Sequence, residues 1–327
     1  MARVLIVVVN YRTPDLVEDG LAALAPEVEG RDDRRVVVVD NGSGDGSAER
    51  LAEAIARDGF GAWATLVASP TNGGFAAGNN LAIAPALAGD DPPDFVLLLN
   101  PDTRVLPGAI DELVAFAERT PSAGIAGSQL CHATGEVQAS TFRFPSLLAE
   151  VNAALRLGPV DRLLAKSRYL APITTEPSRT DWVAGASMLV RREVFERVGL
   201  LDDGYFLYFE ETDFCRRAAD AGFECWYVPR SRVVHLVGQS TGVTNQASAT
   251  RRRPPYWFAS RRRYFRRFHS AAYAFAVDVG FALAFALWRV RRKLQGKPDE
   301  DPERFLGDFV RFALLGGGTD RSRRSAA

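Results

Sequence analysis

Val36-Val37-Val38-Val39-Asp40-Asn41-Gly42-Ser43-Gly44-Asp45-Gly46-Ser47 is the stretch that decides the fold. Four consecutive β-branched residues make a strand apolar on both faces, and such a strand belongs in a sheet covered on both sides. The run ends at a polar, glycine-rich turn. Ala48, Leu51, Ala52, Ile55 and Ala56 then follow at i, i+3, i+4, i+7 and i+8, one face of a helix. Strand, polar turn and helix form the unit to look for on either side.

The unit recurs. Val4–Val9 runs ahead of it, Thr65–Ala68 is a weaker run after it, and Phe95–Leu99 is a third strong one. This alternation predicts an α/β domain with a mixed, mainly parallel sheet and helices on both faces. Ligands of such a sheet bind beyond the carboxyl ends of its strands. The pattern weakens from Ala126 to Thr180, where loops and short elements are expected, and a second patterned block runs from Trp182 to Val237. From Arg251 the character changes to arginine triplets, aromatics and the apolar run Ala271–Trp288. The expected organisation is a catalytic domain over 1–250, a basic and aromatic helical extension over 251–315, and a disordered tail over 316–327.

The chain has 327 residues, 47% hydrophobic and 24% charged, enough to bury a full core. Its 40 Lys and Arg balance 40 Asp and Glu, so no nucleic-acid partner is expected from overall charge. The balance is global and not local: Arg251 to Lys297 holds 13 basic residues against one acid, Asp278, which predicts a basic face on the C-terminal part. Three cysteines without framework spacing suit a reducing compartment. Val4–Val9 is too short for a signal-peptide core, so a cytoplasmic protein is expected.

The notable residues fall where the strands end. Val9-Asn10-Tyr11-Arg12 closes the first, Asp40 to Ser47 the second, Asn72-Gly73-Gly74 through Asn79-Asn80 the third, and Asn100-Pro101-Asp102-Thr103 the fourth. Each alone reads as a turn or a helix cap. Four together at one edge of a sheet make what a nucleotide needs. Asp102 is placed to hold a divalent cation against a diphosphate. His235, after Val233-Val234, reads alone as a structural histidine, and it can also complete a metal site begun by Asp102.

The second block carries Glu210-Glu211-Thr212-Asp213 after the aromatic run Phe206 to Phe209. Acids at a helix start favour its dipole. A carboxylate in a partly apolar pocket is also what a general base for an acceptor hydroxyl requires. Trp182-Val183-Ala184-Gly185-Ala186 offers either core packing or an aromatic platform for a sugar face.

In this order the motifs resemble family 2 glycosyltransferases of the GT-A fold. The resemblance runs from Arg3 to Gln239, and it is greatest to bacterial rhamnosyltransferases and galactofuranosyltransferases of cell-wall and polysaccharide assembly. It implies that Val9, Asn10, Tyr11, Arg12 and Asp40 contact the nucleotide, with Asp40 on the pyrimidine base. Asn72, Gly73, Gly74 and Asn79 match the glycine-rich donor segment, and Asn100 to Asp102 stands where the family has its DXD motif. Trp182, Gly185, Ala186 and Glu210 match the acceptor side, with Glu211 as the base and Asp213 as the alternative. Asp102 and His235 are the implied ligands of Mn²⁺ or Mg²⁺. Asn100 in place of an aspartate is familiar among rhamnosyltransferase-like members and favours dTDP-rhamnose. The implied reaction is single-displacement transfer, with inversion, to a glycan or polyprenyl-diphosphate-linked acceptor. Galactofuranosyl or other hexosyl transfer from a UDP-sugar and a non-catalytic nucleotide-sugar-binding protein are the alternatives.

A dehydrogenase would show Gly-x-Gly-x-x-Gly after its first strand, where this chain has Asn10 to Asp15 without glycine. A nucleotidyltransferase would carry a basic, glycine-rich loop there. The segment Arg251–Arg267 interleaves arginines with aromatics, which suits an anionic membrane surface. The run Ala271–Trp288 is near the lower limit for spanning, and Asp278 at its middle would cost ~3 kcal/mol in hydrocarbon. The expected placement is peripheral, at the inner face of the cell membrane. Packing on the catalytic domain or on a homodimer partner is the alternative cover for this helix.

Overall fold

The computed structural model describes residues 2–236 and 251–314. The tail expected over 316–327 lies outside the described residues. The strands are β1 (Val4–Asn10), β2 (Arg34–Asn41), β3 (Ala64–Ser69), β4 (Phe95–Leu99), β5 (Thr103–Val105), β6 (Ala123–Cys131), β7 (Thr141–Phe142), β8 (Ser178–Thr180), β9 (Trp182–Val183), β10 (Ser187–Arg191) and β11 (Glu224–His235). The helices are α1 (Pro14–Val28), α2 (Ser47–Arg57), α3 (Phe75–Ala88), α4 (Ala109–Arg119), α5 (Leu147–Leu155), α6 (Gly158–Leu163), α7 (Arg192–Val198), α8 (Glu210–Asp220), α9 (Pro255–Phe268), α10 (Ala271–Leu294) and α11 (Phe305–Phe309). Among the described residues the chain forms two compact units, one of 2–142, 172–206 and 210–236, the other of 143–171, 207–209 and 251–314. The C-terminal helices thus share their unit with the middle segment 143–171.

The first unit is built on one sheet in the order β3-β2-β1-β4-β10-β6-β11-β5, with β8 also paired to β11. The pairings β3-β2, β2-β1 and β1-β4 are parallel, as the apolar runs require. Strand β10 enters antiparallel between β4 and β6, and β6 pairs parallel with β11. All seven positions of β1 are buried. Val4, Ile6 and Val8 face a core shared with Leu21 and Leu24 of α1, Leu51 of α2 and Leu113 of α4.

Strand β11 is irregular at its centre. Val228 pairs with Ser128, yet the next residue of β6, Gln129, pairs with Arg232. Residues 229–231 bulge from the ladder, and the strand resumes to deliver Val233, Val234 and His235 against Val105, Arg104 and Thr103 of β5.

In the second unit, Phe258, Phe285, Trp288, Phe305 and Phe309 form an aromatic core. Arg261 of α9 ties three helices together. Its Nε and Nη2 reach Glu150 Oε2 of α5 at 3.0 and 2.7 Å, and its Nη1 reaches Asp278 Oδ1 of α10 at 2.5 Å. Asp278 therefore turns inward to a guanidinium, and the hydrocarbon cost expected from its sequence position does not apply to the outer face of α10. That face exposes Phe275, Leu283, Leu287, Val290 and Leu294 at helical spacing. By length and composition α10 could cross a membrane, with one third of its apolar window buried inside the protein.

Candidate active site

The strand ends of the first unit assemble as a linked series. Asn10 and Asp40 lie side by side in the β1-β2 register. Asn10 Nδ2 donates to Asp40 Oδ1 at 2.8 Å, Ser43 Oγ donates to the same oxygen at 2.5 Å, and the Ser43 amide donates to Oδ2 at 3.1 Å. Ser43 Oγ accepts the Arg12 amide at 2.9 Å, which fixes Arg12 in the left-handed region at φ 59°. The Arg12 guanidinium lies over the Tyr11 ring, 5.0 Å from its centroid. Asp40, 3% exposed, thus shapes the turn that the first two strands share, and Val9 is buried beneath it.

Asn41 joins the second strand end to the third. Its Nδ2 donates to Asn72 Oδ1 at 3.0 Å and to the Gly74 carbonyl at 2.9 Å, and its Oδ1 accepts the Gly73 amide at 3.3 Å. Gly74 has φ 88°, and a β-carbon there would run into the Phe206 carbonyl oxygen. That carbonyl accepts the Phe75 amide at 3.0 Å, so the start of α3 is docked directly on the chain leading to the acidic cluster. Asn79 is buried one turn further on, its Nδ2 donating to the Phe75 carbonyl at 2.9 Å.

Gly185 lies between these parts. A β-carbon at Gly185 would sit 3.3 Å from Phe75 Cε1 and 3.9 Å from Glu211 Cβ. The neighbouring Ala186 carbonyl accepts the Asn100 amide at 3.2 Å. Trp182 stacks on Phe142, ring centroids 4.2 Å apart and planes 19° apart, so one aromatic face is taken within the β7-β9 pair.

The acids at the start of α8 divide. Asp213 is 0% exposed and committed: Oδ1 accepts from Arg217 Nε at 2.6 Å and Oδ2 from Tyr205 Oη at 3.0 Å. Arg217 in turn holds the Val198 and Leu200 carbonyls. Glu210 and Glu211 each keep a buried Oε2 with no hydrogen-bond partner. Burial pushes the Glu210 carboxyl well above the usual carboxylate range, and the Glu211 charge beside it adds to the rise. Burial raises Glu211 as well.

Asp102 and His235 come together across the β5-β11 ladder. The His235 Nε2 lies 3.5 Å from Asp102 Oδ1, and the Asp102 carbonyl accepts the Leu236 amide at 2.9 Å. Asp102 is 2% exposed, and neither carboxylate oxygen has a hydrogen-bond partner. A buried carboxylate without donors is costly unless something cationic completes it. One carboxylate oxygen and one imidazole nitrogen fit a divalent cation of the Mn²⁺ or Mg²⁺ kind. Among the described residues, no group of three or more His, Cys, Asp or Glu that could hold a metal ion is found.

Sequence reasoning missed Ser43, Asn41 and Gln138. The first two sit inside the turn quoted at the outset, but what they hold is distant in sequence: Asn41 reaches Asn72 to Gly74 and Ser43 reaches Arg12. Gln138 gave no local signal.

The sequence model of the family described as "Glycosyltransferase like family 2" matches residues 2–270. An N-acetylglucosaminyl-diphospho-decaprenol L-rhamnosyltransferase of Mycobacterium tuberculosis is 33% identical over 245 residues, 72% of this chain and 77% of that protein. Rhamnosyltransferase WbbL of Escherichia coli is 33% identical over 173 residues, 50% of this chain and 60% of that protein. Among solved structures, the mannosyltransferase PcManGT from Pyrobaculum calidifontis in complex with GDP-Man and Mn²⁺ has a TM-score of 0.55 at 16% identity, covering 98% of this chain and 82% of that one. GalNAc-T7 with UDP, GalNAc and Mn²⁺ has a TM-score of 0.59 at 16% identity, covering 96% of this chain, which spans 57% of that longer one. These two likenesses establish the GT-A fold.

Proposed function

The chain belongs to glycosyltransferase-like family 2 and is a glycosyltransferase, and from that premise we propose that it is a divalent-metal-dependent, inverting rhamnosyltransferase. Its donor is dTDP-rhamnose and its acceptor a polyprenyl-diphosphate-linked glycan. The names of both relatives above support a rhamnosyl group, and the first supports a polyprenyl-diphosphate-linked acceptor. The observation that carries the metal is the unpartnered, buried Asp102 carboxylate facing His235 Nε2.

Asp102 and His235 would hold the cation. The ion supplies charge neutralisation for the departing diphosphate. Asn10, Tyr11, Arg12 and Asp40 form the base and ribose end, and Asn72 to Asn79 lie along the donor. Glu211 takes the acceptor hydroxyl proton while that oxygen bonds to the anomeric carbon and the bond to the diphosphate breaks on the opposite face. Glu210 keeps its own proton beside it, since two adjacent buried carboxylates ionise together only at high cost. Asp213 serves structure rather than proton transfer.

The outer face of α10, bounded by the arginines of α9, lies in the headgroup region of an anionic membrane, where a polyprenyl-linked acceptor is found. The proposed location is the inner face of the cell membrane, with the enzyme bound there as a peripheral protein.

The test is transfer to a polyprenyl-diphosphate acceptor with dTDP-rhamnose or UDP-galactofuranose, each with Mn²⁺, Mg²⁺ or EDTA. Turnover of dTDP-rhamnose that stops in EDTA is expected. Turnover of the UDP-sugar alone, or full activity in EDTA, overturns the donor or the metal reading respectively. Binding of nucleotide sugars without any turnover would make the chain a binding protein.

A further inference from the structure

Gln138 is buried, 7% exposed, and reaches His235 from 97 residues away. Its Nε2 donates to the His235 backbone carbonyl at 2.6 Å, and its Oε1 lies 3.2 Å from His235 Nδ1. The same Nε2 lies 3.1 Å from His132 Nδ1. A carboxamide can be turned end for end, but a carbonyl oxygen only accepts, so the group at 2.6 Å from it must be the NH₂. The amide orientation is thereby settled by the backbone. Oxygen then faces His235 Nδ1, and that nitrogen must carry the proton for the contact to be favourable.

We propose that Gln138 is a positioning residue that holds His235 in its Nδ1–H tautomer, so that the lone pair on Nε2 faces Asp102 and is free to bind a cation. The inference rests on reading Asp102 and His235 as the cation site. Free histidine favours the opposite tautomer, with the proton on Nε2, where it would point at the Asp102 carboxylate instead of leaving an open donor. A partner that orients a ligating imidazole typically changes metal affinity by about 10–100-fold when lost. The hairpin that carries Gln138 is itself anchored, because the Gln138 amide donates to the Leu130 carbonyl at 2.8 Å and Val137 bridges Cys131. His132 accepts the other hydrogen of the Gln138 NH₂, which keeps the carboxamide from rotating.

The experiment combines ¹⁵N NMR of the imidazole rings in the metal-free full-length protein with Mn²⁺ titration followed by electron paramagnetic resonance. The chain has only three histidines, so His235 is assigned by comparison with His235→Asn. Wild-type His235 should show a protonated Nδ1 and an unprotonated Nε2. Gln138→Leu should move the proton to Nε2 and weaken Mn²⁺ binding about 10–100-fold. A wild-type His235 with its proton on Nε2 overturns the inference without any variant. A Leu variant that keeps Nδ1–H and full Mn²⁺ affinity also overturns it. If the tautomers behave as expected but the wild type binds no Mn²⁺, Gln138 keeps its positioning role and the metal reading falls.

Discussion

Asp213 and Arg217 face one another across a single turn of α8, carboxylate to guanidinium at 2.6 Å, with Tyr205 closing the other side. An acid held this way has both oxygens committed and no free edge for an acceptor hydroxyl. One turn back, Glu210 and Glu211 each keep a buried Oε2 without a hydrogen-bond partner. The same short segment thus supplies one anchor and two reactive candidates.

Glu211→Gln should lower turnover by at least ~100-fold while donor affinity stays nearly intact. Glu210→Gln should retain most activity, since it mimics the protonated partner. Asp213→Asn should act mainly through stability, lowering the melting temperature. If Glu210→Gln is the dead variant, the two roles are exchanged.

The raised Glu210 and Glu211 carboxyls give opposite signs for stability and rate. Both folded-state pKa values lie above those of the unfolded chain, so the folded protein binds more protons. That contribution is present at low pH and is lost as pH rises through the raised values. Activity needs ionised Glu211, so turnover should climb with pH along a limb lying above the ordinary carboxylate range. A limb at the ordinary value, or none, would remove the buried-base assignment.

Asp102→Ala should abolish transfer and Mn²⁺ binding together, and EDTA should do the same to the wild type. Residual transfer unaffected by EDTA would point to a scheme in which basic side chains hold the diphosphate.

Asp40→Ala should weaken the donor and the free nucleotide diphosphate alike. Because Asp40 also holds Asn10 and Ser43, the variant should lose stability as well. Unchanged nucleotide affinity in a calorimetric titration would confine Asp40 to the turn.

The outer face of α10 is tested by flotation with anionic liposomes. The wild type should float and be released at least in part by high salt or carbonate. Leu283→Glu with Leu287→Glu should remain in the soluble fraction. Resistance to carbonate would mean that the helix inserts deeply, and loss of dimers in the double variant would assign the face to a second copy.

Strands β1, β2 and β4 were legible because burial on both faces writes itself as unbroken apolar runs, whereas β3, at the sheet edge with two exposed residues, gave only a weak one. The antiparallel entry of β10 and the three residues of β5 were not, since a five-residue apolar strand carries no mark of its direction. The run at Ala271–Trp288 ends six residues before α10 does, because in Arg289 to Leu294 basic residues break the run while Val290 and Leu294 carry on the outer apolar face. Asp278 reads in the sequence as an obstacle to spanning hydrocarbon, and its partner Arg261, 17 residues earlier, shows only in the fold. The same applies to the site. Asp102 and His235 stood out as residue types after strands, whereas Asp213 and Glu211 differ only in what folds against them. Gln138 depends wholly on a contact made at a distance of 97 residues.

The bulge at 229–231 has a bearing on how this sequence can change by insertion and deletion. Paired residues share a face, so Val228 with Ser128 and Arg232 with Gln129 mean that three extra residues invert the in-out alternation of β11. The phase in which His235 arrives opposite Thr103 is therefore set by the length of that short detour. Removing or adding one residue there, where it slips Arg232 from its place opposite Gln129, would turn His235 to the other side of the sheet, away from Asp102 and Gln138, while leaving every motif of the chain still present in its order. Drift in length at this point is a way to silence the protein that a comparison of motifs alone would not detect.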